Sequence, residues 1–166
     1  LLGSSVGSFI GLLIAKRHPD LLSAYIGIEQ NAPGGIELSY QLAIEAMQRM
    51  NNKKGLASLK AMSSDKSMWT YRQFLGMNKL AINATENVPH MINDLMLPAL
   101  LFTPDYTMND IKAVQKGMEY SAKYLFEEMR DFNFDAVGYR FDIPFLVLQG
   151  ESDIITPVES ARNFIN

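Results

Sequence analysis

Two apolar, strand-like stretches separated by one short helix constrain this chain more than any other feature. Leu1-Leu2 reads as the end of a buried strand, Ser8 to Arg17 as a helix with an apolar face, and Ser23 to Glu29 as a second strand. The helix should stop at His18, because Pro19 disfavours helical geometry in the residue before it. A strand–helix–strand unit with links this short is a βαβ crossover, which implies a parallel sheet whose strands are buried among helices.

The link from the first strand to the helix is Gly3-Ser4-Ser5-Val6-Gly7, which fits G-x-S-x-G. In that pattern a serine occupies a sharp, strained strand-to-helix turn, and small neighbours let strand and helix pass close together. The five residues alone also fit a glycine-rich turn without chemistry. Their meaning depends on the rest of the chain.

After Asn31-Ala32-Pro33-Gly34-Gly35, a turn signal, helical patterns follow one another and no convincing strand is found before about residue 140. Tyr40, Ala43, Ile44, Met47 and Met50 recur at helical spacing, with Ser39 as the expected N-cap. Further helices are expected over Leu56–Met62, Met68–Leu80 and Val88–Met96, the last stopping near Pro98. The longest follows Thr107-Met108-Asn109-Asp110, a capping-box-like start, and runs toward Met129. All ten methionines lie in this middle part, at 47, 50, 62, 68, 77, 91, 96, 108, 118 and 129. Unbranched and polarizable, they suit either ordinary helix cores or a surface that repacks around varied apolar ligands.

The pattern then reverts. Phe145-Leu146-Val147-Leu148-Gln149 reads as a short buried parallel strand, and Gly150-Glu151-Ser152-Asp153-Ile154-Ile155-Thr156-Pro157 as the loop beyond it. A final helix starts at Val158, with Glu159 near its positive end. The fold class is therefore α/β, with about three parallel strands and a large all-helical insertion. Residues 1–33 and 141–166 form the two parts of the sheet domain, and residues 34–140 the insertion.

Composition narrows the partners. The formal net charge of −3 comes without long blocks of like charge, so there is no electrostatic case for nucleic acid or an anionic membrane. No apolar run is long enough to span a bilayer. With no cysteine, disulfides, thiolate metal sites and a cysteine nucleophile are excluded, and the compartment stays undecided. No histidine pair or carboxylate cluster has ligand spacing, so neither metal nor other cofactor is expected.

A serine needs a base oriented by a carboxylate, and in open α/β sheets such groups gather beyond the carboxyl ends of the strands. Ser5 and Asp153 both stand there, in the order serine then acid. On these residues, together with Gly11-Leu12-Leu13, Arg17-His18-Pro19-Asp20, Tyr25 to Gln30, Pro144 to Gly150, and Pro157, the chain resembles the α/β-hydrolase superfamily. The likeness is greatest to its prolyl-aminopeptidase-like and esterase-like members with a helical cap. The resemblance implies Ser5 as nucleophile, Asp153 as triad acid and the Val6 amide as an oxyanion-hole donor. It implies a small ester, amide or short peptide as substrate; Ser4 and Glu29, by their places at the strand ends, are candidate contacts to it.

The same resemblance puts the triad histidine after the acid and a second oxyanion donor upstream of the elbow. Neither falls between Leu1 and Asn166, so the sequence is expected to be a segment of a longer chain. His18 reads as a helix-terminal residue and His90 as a structural one; Asp20 belongs to a turn and Asp94 to a solvated helix face. With so few strands, the isolated chain should need missing core segments or associate with itself. The alternative is a non-catalytic binding or interaction module that keeps the same scaffold.

Overall fold

The computed structural model describes residues 1–85 and 89–165. Strands β1 (Leu2–Ser4), β2 (Tyr25–Ile28) and β3 (Phe145–Leu148) form one sheet in the order β1-β2-β3, with every pairing parallel. Helix α1 (Gly7–Arg17) makes the crossover from β1 to β2, with His18 as C-cap, its backbone N–H donating to the Ile14 carbonyl. A 3-10 turn over Pro19–Leu21, not foreseen, completes the link.

Between β2 and β3 the described chain is helical: α2 (Gly35–Arg49), α3 (Lys53–Lys60), α4 (Tyr71–Asn83), α5 (Leu97–Phe102), α6 (Met108–Arg130) and α7 (Phe134–Val137). Helix α8 (Val158–Ile165) follows β3. The expected capping box at α6 is present: Asp110 N–H donates to Thr107 Oγ1, and Thr107 N–H to Asp110 Oδ2. A second box, Thr70 with Gln73, opens α4.

Two expectations need correction. Ser39 does not cap a helix. It lies buried inside α2, which starts a full turn earlier because Gly34, at φ +70°, carries the chain through a left-handed turn that L side chains disfavour. Pro98 does not stop a helix either. It sits in the first turn of α5, where its missing N–H costs nothing, and a π-helical turn over Met91–Met96 leads into it. The start of that expected helix, Val88, falls outside the described residues. The short α7 was not anticipated; Asn133 caps it by accepting from Ala136 N–H.

The core has two parts. Under the sheet, Leu12, Ala15, Tyr25, Ala32, Val137 and Phe164 pack together, with aromatic rings of Phe134, Phe141 and Phe145 stacked around Phe164. Among the helices, Ala43, Met47, Leu59, Met62, Trp69, Met77 and Ala81 form the second. Methionines divide accordingly: Met47, Met62 and Met77 are core, whereas Met50, Met68, Met96, Met108 and Met118 are exposed. Ile154 and Ile155 of the loop after β3 rest against the helical core, so that loop joins the two.

Registry shows which face of the sheet is packed. Gly3, Tyr25, Gly27, Phe145 and Val147 point toward the α1 side and are buried or half-buried. The alternate row, with Leu2 beside Ile26 and Leu146 and with Ser4 beside Ile28 and Leu148, is the open face. Leu146 and Leu148 are 55% and 59% exposed there. The expectation of strands covered on both sides thus holds for one side only among the described residues.

Candidate active site

The carboxyl edge of the sheet carries three chemistry-bearing positions in one row. Ser4, Ile28 and Leu148 form the last paired rung, so Ser5, Glu29 and Gln149 follow together. The row is tied by Ser5 N–H donating to Ile28 O at 3.0 Å and Glu29 N–H donating to Leu148 O at 3.1 Å. Both Ser5 and Glu29 have φ of +50°. A left-handed conformation at a non-glycine residue costs of order 1–3 kcal/mol and persists only when its surroundings over-determine it.

The elbow shows what supplies that constraint. Only Ser5 and Val6 separate β1 from α1. The Ser5 carbonyl accepts from Ser8 N–H at 2.9 Å and from Asn31 Nδ2 at 2.7 Å. Val6 is helical in φ and ψ and exposed, and its N–H belongs to the start of α1, where amides lack intrahelical partners. Gly3 is required by space: a Cβ there would lie 2.9 Å from both Gly7 O and Tyr25 Oη. Gly7 is not, since a Cβ there would meet nothing within 4 Å. The expected need for small residues on both flanks is therefore confined to one. Ser4 is exposed on the open face beside Ile28.

Asp153 is held by its own loop. Its Oδ1 accepts from Ile155 N–H at 2.8 Å and Thr156 N–H at 3.0 Å. Its Oδ2 accepts from the Thr156 hydroxyl at 2.6 Å, with Gln149 Nε2 3.4 Å away. Glu29 lies close enough to feel it: burial first, and the Asp153 charge second, hold the Glu29 carboxyl above the ordinary glutamate range. An acid whose folded-state pKa is raised favours folding below its unfolded value, and that contribution is lost as pH rises through the raised value. Glu29→Gln should therefore be neutral at about pH 3 and stabilising at about pH 8. Thermal melts across that range check it, and a shift independent of pH would disprove it.

Sequence reasoning missed the polar groups joining these positions. Tyr25, fully buried, donates its hydroxyl to Gln30 Oε1 at 2.7 Å, and burial pushes its pKa up to about 12, so it remains a neutral donor. Gln30, also fully buried, donates Nε2 to Asn31 O at 2.7 Å, while its backbone N–H donates to Gln149 Oε1 at 2.8 Å. Asn31 also binds Ser8 Oγ through its backbone N–H at 3.0 Å. The available signal was a run of amides directly past two apolar strands.

The hydrogen bonds recorded for the two histidines go to other residues than these. His18 is exposed at the end of α1. His90 has Nε2 against Asn83 Oδ1 at 2.9 Å, Nδ1 accepting from Asn93 N–H at 3.2 Å, and a backbone N–H donating to Asp94. Asp94 thereby caps the helical turn, and Asp20 is exposed in the 3-10 turn. Among the described residues no group of three or more His, Asp or Glu could hold a metal ion, and no helix is long and apolar enough to cross a membrane.

Fold and site together describe a mixed α/β protein, its parallel sheet bearing a strained serine at one strand end and a braced aspartate beyond another. The chain is similar to a Bacillus subtilis (strain 168) protein named "Probable aminopeptidase YbaC", with 22% identity over 169 residues, or 99% of this chain and 52% of that protein. It thus spans about half the length of the curated relative it matches. No family model and no solved structure matches it.

Proposed function

We propose that this chain carries the nucleophile and acid of a serine hydrolase of the α/β-hydrolase type, acting on short peptides or related amides and esters. The observation that carries the reading is Ser5, held at φ +50° between β1 and α1, on the edge that also presents the Asp153 loop. The similarity to a probable aminopeptidase supports a peptidase-like hydrolase over other chemistries.

In this reading Ser5 Oγ attacks the substrate carbonyl and its proton passes to a histidine supplied by the rest of the protein. The Val6 amide stabilises the resulting oxyanion. The bond to the leaving amine or alcohol breaks as the imidazolium returns the proton to it, leaving an acyl group on Ser5. Water, deprotonated by the same histidine, hydrolyses that ester and restores the hydroxyl. Asp153 orients the imidazole. Residues 34–140 act as a cap over the edge, with Ser4 and Glu29 as substrate contacts.

Full-length protein treated with a fluorophosphonate probe should be labelled at Ser5, as read by peptide mass spectrometry. Turnover of aminoacyl-naphthylamides would identify a peptidase, and of nitrophenyl esters alone an esterase. Folded, full-length protein that takes no label would instead support a non-catalytic module on the same scaffold.

A further inference from the structure

Thr156 is 5% exposed and hydrogen-bonded on both sides. Gln149 Oε1 accepts from Gln30 N–H at 2.8 Å, which fixes the amide so that its Nε2 donates to Thr156 Oγ1 at 2.9 Å and to the Thr156 carbonyl. A hydroxyl has one proton to give. Since Thr156 Oγ1 already accepts from Gln149, its proton goes to Asp153 Oδ2, 2.6 Å away. The result is a polarised relay from the backbone of Gln30, through Gln149 and Thr156, to the carboxylate. With Oδ1 held by two backbone amides, the hydroxyl removes the remaining freedom of the carboxylate plane. Gln30 is followed by Asn31, whose side chain grips the Ser5 carbonyl at 2.7 Å, so one dipeptide braces both ends of the site.

We propose that Thr156 is a positioning residue, which, wired through Gln149 to the end of β2, sets the orientation of Asp153 relative to Ser5. The proposal rests on the serine-hydrolase reading above, in which Asp153 must present one oxygen to an imidazole at a defined angle. Gln149 Nε2 reaches Oδ2 only at 3.4 Å, its two protons being held more closely by Thr156, so Oδ2 rather than the doubly bonded Oδ1 is left for that contact, and the threonine proton determines where its remaining lone pair points. Thr156 thus acts through Asp153 and touches no reacting atom.

Three variants of the full-length protein test this. Thr156→Val keeps the shape and loses the hydroxyl; it should lower kcat by about ten- to a hundredfold with KM unchanged. The acid limb of its pH–rate profile should move to higher pH, because a carboxylate with one donor fewer attracts the imidazolium more strongly. Thr156→Ser keeps the hydroxyl and should stay within about twofold of the parent. Gln149→Glu still accepts from Gln30 N–H but competes for the threonine proton, so it too should lower kcat. A valine variant with parental kcat overturns the proposal. So does a serine variant that falls as far as the valine one, since packing of the methyl would then be responsible. Loss of kcat with an unmoved acid limb and a lowered melting temperature also overturns it, as does a glutamate variant at parental rate. A parent protein that neither turns over nor takes the fluorophosphonate label removes the hydrolase reading itself, and the positioning role with it.

Discussion

On the proposed mechanism, Ser5→Gly in the full-length protein should abolish turnover and at the same time stabilise the fold by about 1 kcal/mol. With Ser5 as the proposed nucleophile, the activity loss should be on the order of a millionfold in kcat, since that role has no substitute within its own constellation. The gain in stability has a separate cause. Ser5 stands at φ +50°, a conformation in which a Cβ crowds the backbone and glycine does not. The bonds that enforce this geometry all use the main chain: N–H to Ile28 O, and the carbonyl to Ser8 N–H and Asn31 Nδ2. Glycine keeps all three and releases the strain. Ser5→Ala, which loses the nucleophile but keeps the Cβ, should be equally inactive and show no such gain. Urea melts of the two variants decide the matter, and alanine proving as stabilising as glycine would mean that the turn stores no strain.

A large loss of stability should come from Gly11→Ala, at about 3 kcal/mol. A Cβ there would lie 2.5 Å from Tyr25 Cε2 and 3.0 Å from its hydroxyl oxygen. Tyr25 cannot step aside cheaply. It is fully buried, its ring packs on Phe145 with centroids 4.8 Å apart, and its hydroxyl is committed to Gln30. Moving the ring would strip the buried Gln30 Oε1 of its donor, a penalty of about 1–3 kcal/mol in itself. Gly7→Ala provides the contrast, because a Cβ at Gly7 meets nothing within 4 Å. It should be neutral or stabilising by up to about 1 kcal/mol through helix propensity. Equal damage from both substitutions would refute this account of the strand–helix contact.

Much of this architecture is legible in the residue pattern. Pro19 after His18, the apolar runs at Tyr25–Ile28 and Phe145–Leu148, and the Thr107–Asp110 box each act locally, and local signals survive without tertiary knowledge. Ser39 misled because serine is a good cap only where the chain enters a helix, and here Gly34 and Gly35 had already turned it. Pro98 misled because the same ring that ends one helix fits the first turn of the next. That Ser5 and Asp153 both follow strands of one parallel sheet was readable; the hydrogen bonds that brace them were not. Gln30 and Gln149 are 119 residues apart, and nothing in either neighbourhood says that β2 and β3 will lie side by side. The uncovered row of Leu146 and Leu148 was equally hidden, since an apolar strand reads the same whether one face or both are packed.

That long separation also bears on the order in which the chain takes shape. Leu2 and Ile26 meet across about 24 residues, whereas Ile26 and Leu146 meet across about 120, which adds about 1.4 kcal/mol of closure entropy for a flexible loop. The first pairing and its elbow can assemble as soon as the N-terminal segment is free to fold. The second depends on the intervening helices forming first and shortening the path. A nascent chain would therefore hold a finished, strained serine turn well before β3 and its loop joined it, and closure of β3 onto β2 would be the event that completes the sheet edge. Substitutions in α2, α3 and α4 would then be felt first as slower pairing of β3 with β2.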